Sequence, residues 1–155
     1  MTIHLDRAVT EDFAAVRDLA SRYFRFDNLD FTEKTERAIA ELLANPSLGS
    51  YFLVRWEGAV VGYCALTYGF DAEAGGRLGV VTDLFLVEEA RGKGLGPLLV
   101  DEILKIAREE GLHQVELYVL DNNDRARRLY AAKGFLPVSG RALMAIKITG
   151  QSPPQ

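Results

Sequence analysis

The sequence predicts a mixed α/β fold, a sheet with helices on both faces. Three observations predict it. Short apolar runs separated by turn residues read as hairpin strands. Segments with apolar residues every three to four positions read as amphipathic helices. One glycine-rich turn, Arg91 to Gly96, carries a buried strand straight into a helix. The resulting order is β, α, α, β, β, β, α, β, α, β, β. Hairpins combined with crossovers demand a mixed sheet.

Each element has its own signal. Ile3 to Arg7 alternates and reads as a short strand. Thr10 is the expected N-cap of a first helix, with Glu11 and Asp12 suiting its positive end. Phe13, Val16, Leu19, Ala20 and Tyr23 then repeat at helical spacing. A second helix begins near Thr32, carries Ile39, Leu42 and Leu43, and stops at Asn45-Pro46, because proline cannot continue it. Tyr51 to Trp56 and Ala59 to Tyr68 are strands joined by a tight turn at Glu57-Gly58. Gly69 to Gly76 reads as a loop and Leu78 to Val87 as a longer strand.

Gly94 to Glu110 places Leu95, Leu98, Leu99, Ile103 and Ile106 on one helical side. Val115 to Leu120 is a strand. Asn123 to Lys133 is a helix closed by Gly134. Leu136 to Val138 and Ala142 to Ile148 are expected to pair as a last hairpin. Residues 1–149 read as one domain. Residues 150–155 are polar and proline-rich and are expected to be a disordered tail.

Composition narrows the function classes. The 155 residues suit one domain with a real core. Cys64 is the single cysteine, so no intrachain disulfide can form, which points to a reducing, cytoplasmic setting. The N-terminus lacks the basic start and apolar run of a signal peptide, and no stretch is apolar enough to span a membrane. A net charge of −4 argues against nucleic acid as the main partner. His4 and His113 stand apart from other ligand types, so no metal site is expected.

The turn from Arg91 to Gly96 carries the chemistry. Gly92, Gly94 and Gly96 leave backbone N–H groups uncovered at the positive end of a helix, where an anion is stabilised. Arg91 and Lys93 add positive charge. Tight packing alone can also select such glycines. Two nucleotide motifs fail here. The NTPase loop needs Gly-Lys followed by Ser or Thr, and here Gly94 and then Leu95 follow Gly92-Lys93. The dinucleotide fingerprint needs a third glycine where Pro97 stands.

With Arg91, Gly94 and Gly96 in the pattern Arg-x-x-Gly-x-Gly, the sequence resembles the GNAT superfamily of N-acetyltransferases. A second part of the family pattern follows at the right distance: Leu117-Tyr118-Val119, Asn123, Ala126, Leu129-Tyr130 and Gly134-Phe135. The resemblance implies a mostly antiparallel central sheet with a splayed parallel strand pair. It implies acetyl-CoA as acyl donor, no metal, and an amine of a small molecule or peptide as acceptor. It also allows a homodimer.

Carried over residue by residue, the resemblance gives Phe85, Leu86 and Val87 as backbone partners of the pantetheine arm. Arg91, Gly92, Lys93, Gly94, Leu95, Gly96 and Pro97 would wrap the pyrophosphate. Pro97, with no N–H, contributes shape only. Asn123 matches the asparagine that bonds the pantetheine arm, although it is also a good N-cap. Tyr130 matches the tyrosine that protonates the departing thiolate. An ordinary tyrosine titrates near 10 and a thiol near 8.5, so the phenol keeps its proton at neutral pH. A packed aromatic on an amphipathic helix is the alternative.

The general base stays open among Asp83, Glu116 and water. Asp83 sits in an apolar strand, where a carboxylate is costly to bury unless partnered. Glu116 lies on the neighbouring strand, but Tyr118 stands where the family often has glutamate. The segment Phe24 to Phe31 alternates rings and carboxylates. Its Asp27 and Asp30 could hold a cationic amine, with Asp71 and Glu73 adding to them. A solvated loop fits the same residues. An acyl-CoA sensor without turnover, and transfer of another acyl group, remain the rival functions. Cys64 reads as a small core residue.

Overall fold

A computed structural model of the chain describes residues 1–148; the expected tail at 150–155 lies outside the described residues. Five strands form one sheet in the order β1-β2-β3-β4-β5. They are β1 (His4–Arg7), β2 (Gly49–Trp56), β3 (Ala59–Asp71), β4 (Gly76–Leu86) and β5 (Gln114–Leu117). The first four pair antiparallel; β4 and β5 pair parallel. Four helices accompany them: α1 (Phe13–Phe26), α2 (Glu33–Ala44), α3 (Leu95–Glu109) and α4 (Asp124–Ala132). This is the mixed, mostly antiparallel architecture with one parallel pair that the sequence predicts.

Alternation along β3 shows how the faces divide. Tyr63 meets Tyr23 of α1, with ring centroids 6.2 Å apart. Tyr68, of opposite parity, donates its hydroxyl to Glu110 at the end of α3. One face of the sheet therefore packs on α1 and the other toward α3, as period-two geometry requires. Val16, Leu19 and Ala20 of α1 and Leu95, Leu99 and Ile103 of α3 are buried in the same core.

Local chemistry sets several boundaries. Thr32 caps α2, its hydroxyl accepting from the Thr35 N–H at 3.4 Å. Glu57 and Gly58 both take positive φ, the geometry a two-residue hairpin needs. Thr10 is not the cap of α1. A short three-ten turn at Thr10–Asp12 precedes the helix, and the Asp12 carboxylate accepts the Val9 N–H at 2.9 Å. The loop expected at Gly69–Gly76 shrinks to residues 72–75, because the β3–β4 ladder runs on to Asp71 and Gly76. Backbone pairing outweighs the glycine content there.

The final hairpin expected at Leu136–Val138 and Ala142–Ile148 does not form among the described residues. That stretch joins no ladder, and its apolar side chains are exposed, Met144 at 90%. Alternation makes a segment fit to pair but supplies no partner. Beyond Gly140, Arg141 is drawn to the Glu73 carboxylate at 3.0 Å, at the tip of the β3–β4 hairpin. The strand expected at Val115–Leu120 likewise stops at Leu117.

Two features open the sheet where the site lies. The β4–β5 ladder ends at Val81↔Leu117, so β4 continues to Leu86 paired with β3 only. A bulge against β3 falls at the same place, since Ala65 faces Asp83 while Leu66 faces Val81. Such a bulge bends its strand. On the β3 side the strands stay close: a Cβ on Gly62 would lie 2.1 Å from the Phe85 carbonyl oxygen. Gly62→Ala should therefore destabilise the protein by about 1–3 kcal/mol. Urea unfolding would read this as a lower midpoint, and an unchanged midpoint would show that the two strands can part freely.

Candidate active site

The divergence of β4 from β5 creates a cavity of about 220 Å³. The end of α1, the free half of β4, residues 117–120 and the start of α4 enclose it. Tyr23, Asp27, Thr82, Arg91, Asn123 and Tyr130 are among its lining residues. Thus Arg91, Asn123 and Tyr130, far apart in the chain, come together. Phe85 and Leu86 line it as well.

The glycine turn sits at the end of β4. Gly92 and Gly94 have φ of +71° and +77°, the left-handed region that side-chain-bearing residues avoid. A Cβ at either would meet nothing within 4 Å, so the space above both backbones is open. Gly94 is the N-cap of α3, and a helix start leaves the N–H groups of Gly94, Leu95 and Gly96 without intrahelical carbonyls. Pro97 has no such group to leave unsatisfied. An uncovered run of amides at a positive helix end fits a phosphate. Gly96 serves a different need, because its Cβ would press at 3.4 Å on Leu129 of α4.

The two cations of the turn are directed to aromatic rings. The Arg91 guanidinium lies 4.1 Å from the Phe26 centroid and 5.2 Å from that of Phe85, and its Nε donates to the Leu86 carbonyl at 2.8 Å. The Lys93 ammonium stands 5.2 Å from the Trp56 ring. The Val87 N–H is bonded to the Val61 carbonyl at 2.8 Å. Successive residues of a strand turn their backbone groups to opposite edges. Of Phe85, Leu86 and Val87, Leu86 is thus the one whose carbonyl faces the opened side.

Asn123 caps α4, its Oδ1 accepting from the Ala126 N–H at 3.2 Å. The cap leaves its NH₂ donors unused. Tyr130 packs edge-on to Phe135, with centroids 5.8 Å apart. Burial raises its phenol above the ordinary range, so it holds its proton at neutral pH.

Asp83 is partly buried on the α1 face of β4 and accepts the Tyr63 hydroxyl at 2.7 Å. Burial raises its carboxyl above the usual range, the Asp27 charge adds to this, and the hydrogen bonds from Tyr63 and Thr82 oppose it. Asp83 is not among the cavity-lining residues, whereas its neighbours Thr82 and Leu84 are. Tyr23 joins the two regions. It lines the cavity, contacts Tyr63 and Phe85, and its phenol is raised by burial and by the Asp83 charge.

The other candidates separate from the site. Asp27 lines the cavity; Asp30 does not. Glu116 accepts from Gln114 at 3.3 Å and lines a different groove, beside α3 and Phe135. Asp71 accepts the Glu73 N–H at 2.9 Å within the hairpin tip. Cys64 is buried, and burial pushes its thiol up to about 12, which leaves it unreactive. Among the described residues no group of acids, cysteines or histidines could hold a metal. No helix among them is long and apolar enough to cross a membrane.

A model of the acetyltransferase (GNAT) family matches residues 13–135. The chain belongs to this family. It is 47% identical over 57 residues to a mycothiol acetyltransferase from Beutenbergia cavernae, covering 37% of this chain and only 19% of that longer protein. It is 28% identical over 132 residues to thialysine N-epsilon-acetyltransferase from Bos taurus, covering 77% and 73% of the two chains. A solved integron cassette protein from the mobile metagenome of Cole Harbour Salt Marsh superimposes with a TM-score of 0.79 at 28% identity, over 97% and 91% of the chains.

For this member of the GNAT family, sequence reasoning missed Tyr23 of the cavity wall and Tyr63 beside Asp83. Both read as apolar positions of a helix and a strand, and only the facing of α1 on β3 brings them to Asp83. Gly94→Ala tests the turn. Left-handed backbone should cost about 1–2 kcal/mol without a clash. A stability loss well beyond that in urea unfolding would show packing rather than conformation to be decisive.

Proposed function

We propose that the protein is an acetyl-CoA-dependent N-acetyltransferase that moves an acetyl group to a primary amine of a small molecule or peptide. One observation carries the reading. Arg91, which opens the turn with the left-handed and uncovered Gly92 and Gly94, and the protonated phenol of Tyr130 line one cavity, on the edge where β4 has lost β5 as its partner. The amides from Gly92 to Gly96 would hold the pyrophosphate. The Leu86 carbonyl and the Asn123 amide would align the pantetheine arm.

Transfer by direct attack balances simply. The neutral amine nitrogen forms a bond to the acetyl carbonyl carbon, and the carbon–sulfur bond breaks. Tyr130 gives its proton to the departing sulfur and recovers one from the nitrogen, directly or through solvent. Asp83 lies off the cavity wall, bonded to Tyr63, with its charge felt by Tyr23 of the wall. A relay through Tyr23 or water suits it better than direct contact with the amine. Asp27 at the cavity wall supplies the negative charge that would draw a cationic acceptor.

The test is free-thiol release from acetyl-CoA with thialysine, lysine, spermidine and an alanine-terminated peptide. Release with at least one amine supports the reading. Tight acetyl-CoA binding with no release from any amine would favour a sensor instead. Propionyl- and succinyl-CoA in the same assay would reveal another acyl preference.

Two variants probe the roles. Tyr130→Phe should lower kcat by roughly 10²–10⁴-fold with little change in acetyl-CoA affinity; wild-type turnover would remove Tyr130 from the chemistry. An acid must lose its proton before it can act as a base. Because the Asp83 carboxyl is raised, kcat/KM should climb with pH through a value above the ordinary carboxylate range. Asp83→Asn should abolish that lower limb, and a limb that persists assigns the proton to another group.

A further inference from the structure

Arg91 has two sets of contacts that do not belong to a phosphate ligand. Its Nε is committed to the Leu86 carbonyl at 2.8 Å. Its guanidinium carbon lies 4.1 Å from the centroid of Phe26, the last residue of α1. Phe26 and Phe85 are themselves 6.3 Å apart, so the cation sits against two rings, one from the donor strand and one from α1. Phe26 is 64% exposed. Burial therefore does not hold it, and the ring contacts do.

A second link joins the same two segments. Arg22 of α1 reaches Glu89, two residues before Arg91, at 3.8 Å. Alone, an exposed pair of this length contributes little. It does show that the last two turns of α1 lie along the segment entering the glycine turn. The residue after Phe26 is Asp27, which lines the cavity, and Asn28 then turns the chain with φ of +57°. Whatever fixes Phe26 fixes the position of Asp27.

We propose that Arg91 is a positioning residue that fastens the end of α1, the acceptor wall carrying Phe26 and Asp27, to the donor strand at Leu86. Phosphate binding then rests on the backbone amides, and the Arg91 side chain sets acceptor affinity. Lysine could keep a charge over the ring. It could not hold the Leu86 carbonyl and lie flat on two rings together, since that needs the planar fork of arginine. The inference rests on the N-acetyltransferase reading, because it assigns the α1 end to the amine.

The experiment measures acetyl-CoA affinity by calorimetry, and kcat and amine KM by thiol release, with the panel amine that the wild type uses fastest. Arg91→Ala should raise the amine KM roughly tenfold while acetyl-CoA Kd and kcat move less than about threefold. Arg91→Lys should fall between. Phe26→Ala, at an exposed site, should raise the amine KM similarly, and the double variant should be no worse than the poorer single one. Acetyl-CoA affinity falling as much as amine affinity in Arg91→Ala, an unchanged amine KM in Phe26→Ala, or additive effects would each overturn the proposal.

If the wild type turns over no panel amine, the reaction fails but the fastening is still read by hydrogen exchange. The amides of Asp27, Asn28 and Leu29, bonded to Tyr23, Arg25 and Phe24, should exchange roughly tenfold faster in Arg91→Ala. Unchanged exchange would overturn it.

Discussion

The loss of one ladder governs this molecule. After Val81 and Leu117, β4 and β5 stop sharing hydrogen bonds, and β4 runs on for five more residues to Leu86. Backbone groups on that opened edge must find other partners, because buried unpaired ones are costly. The bulge opposite Ala65 and Leu66 bends the strand at this point. Any side chain in place of Gly62 would prevent the close approach that keeps β3 and β4 together beyond it. The cavity, the approach of α4 and the exit into the glycine turn all follow from this divergence.

The two faces of the opened strand carry different chemistry. On the cavity side, backbone groups and the protonated Tyr130 suit an acyl donor with a long polar arm. On the α1 side, Tyr63 donates to Asp83 and Tyr23 packs on the Tyr63 ring, and both phenols and the carboxyl titrate higher than usual, because burial disfavours their charged forms. Tyr23 reaches from this group to the cavity wall. The glycine turn joins these regions, since its first residue touches Leu86, Phe85 and the end of α1 at once.

Much of this was legible in the residues, and the failures share a cause. The α2 cap at Thr32, the hairpin at Glu57-Gly58 and the start of α3 depend on neighbours close in sequence, and each falls where local rules put it. Asn123 and Tyr130 stand together at the cavity because both ride on one short helix. The last hairpin and the far end of β5 depended on partners distant in sequence, and there alternation misled. Glu116, Asp30, Asp71 and Glu73 carried the right charge for the chemistry, yet none lines the cavity. Charge type says nothing of which way a side chain faces once a bulge or a turn has intervened.

By itself the sequence determined the element order as far as α4, the glycine turn between β4 and α3, and the family. These follow from spacing and from the conformations each residue type permits. Only the tertiary structure decided that Arg91 and Lys93 lie on aromatic rings, that Leu86 has the carbonyl on the opened edge, and that Asp83 meets Tyr63 behind the cavity wall. Those are contacts between segments up to tens of residues apart. They arise from how a bulged strand faces a helix across the core, and no local pattern along the chain encodes that facing.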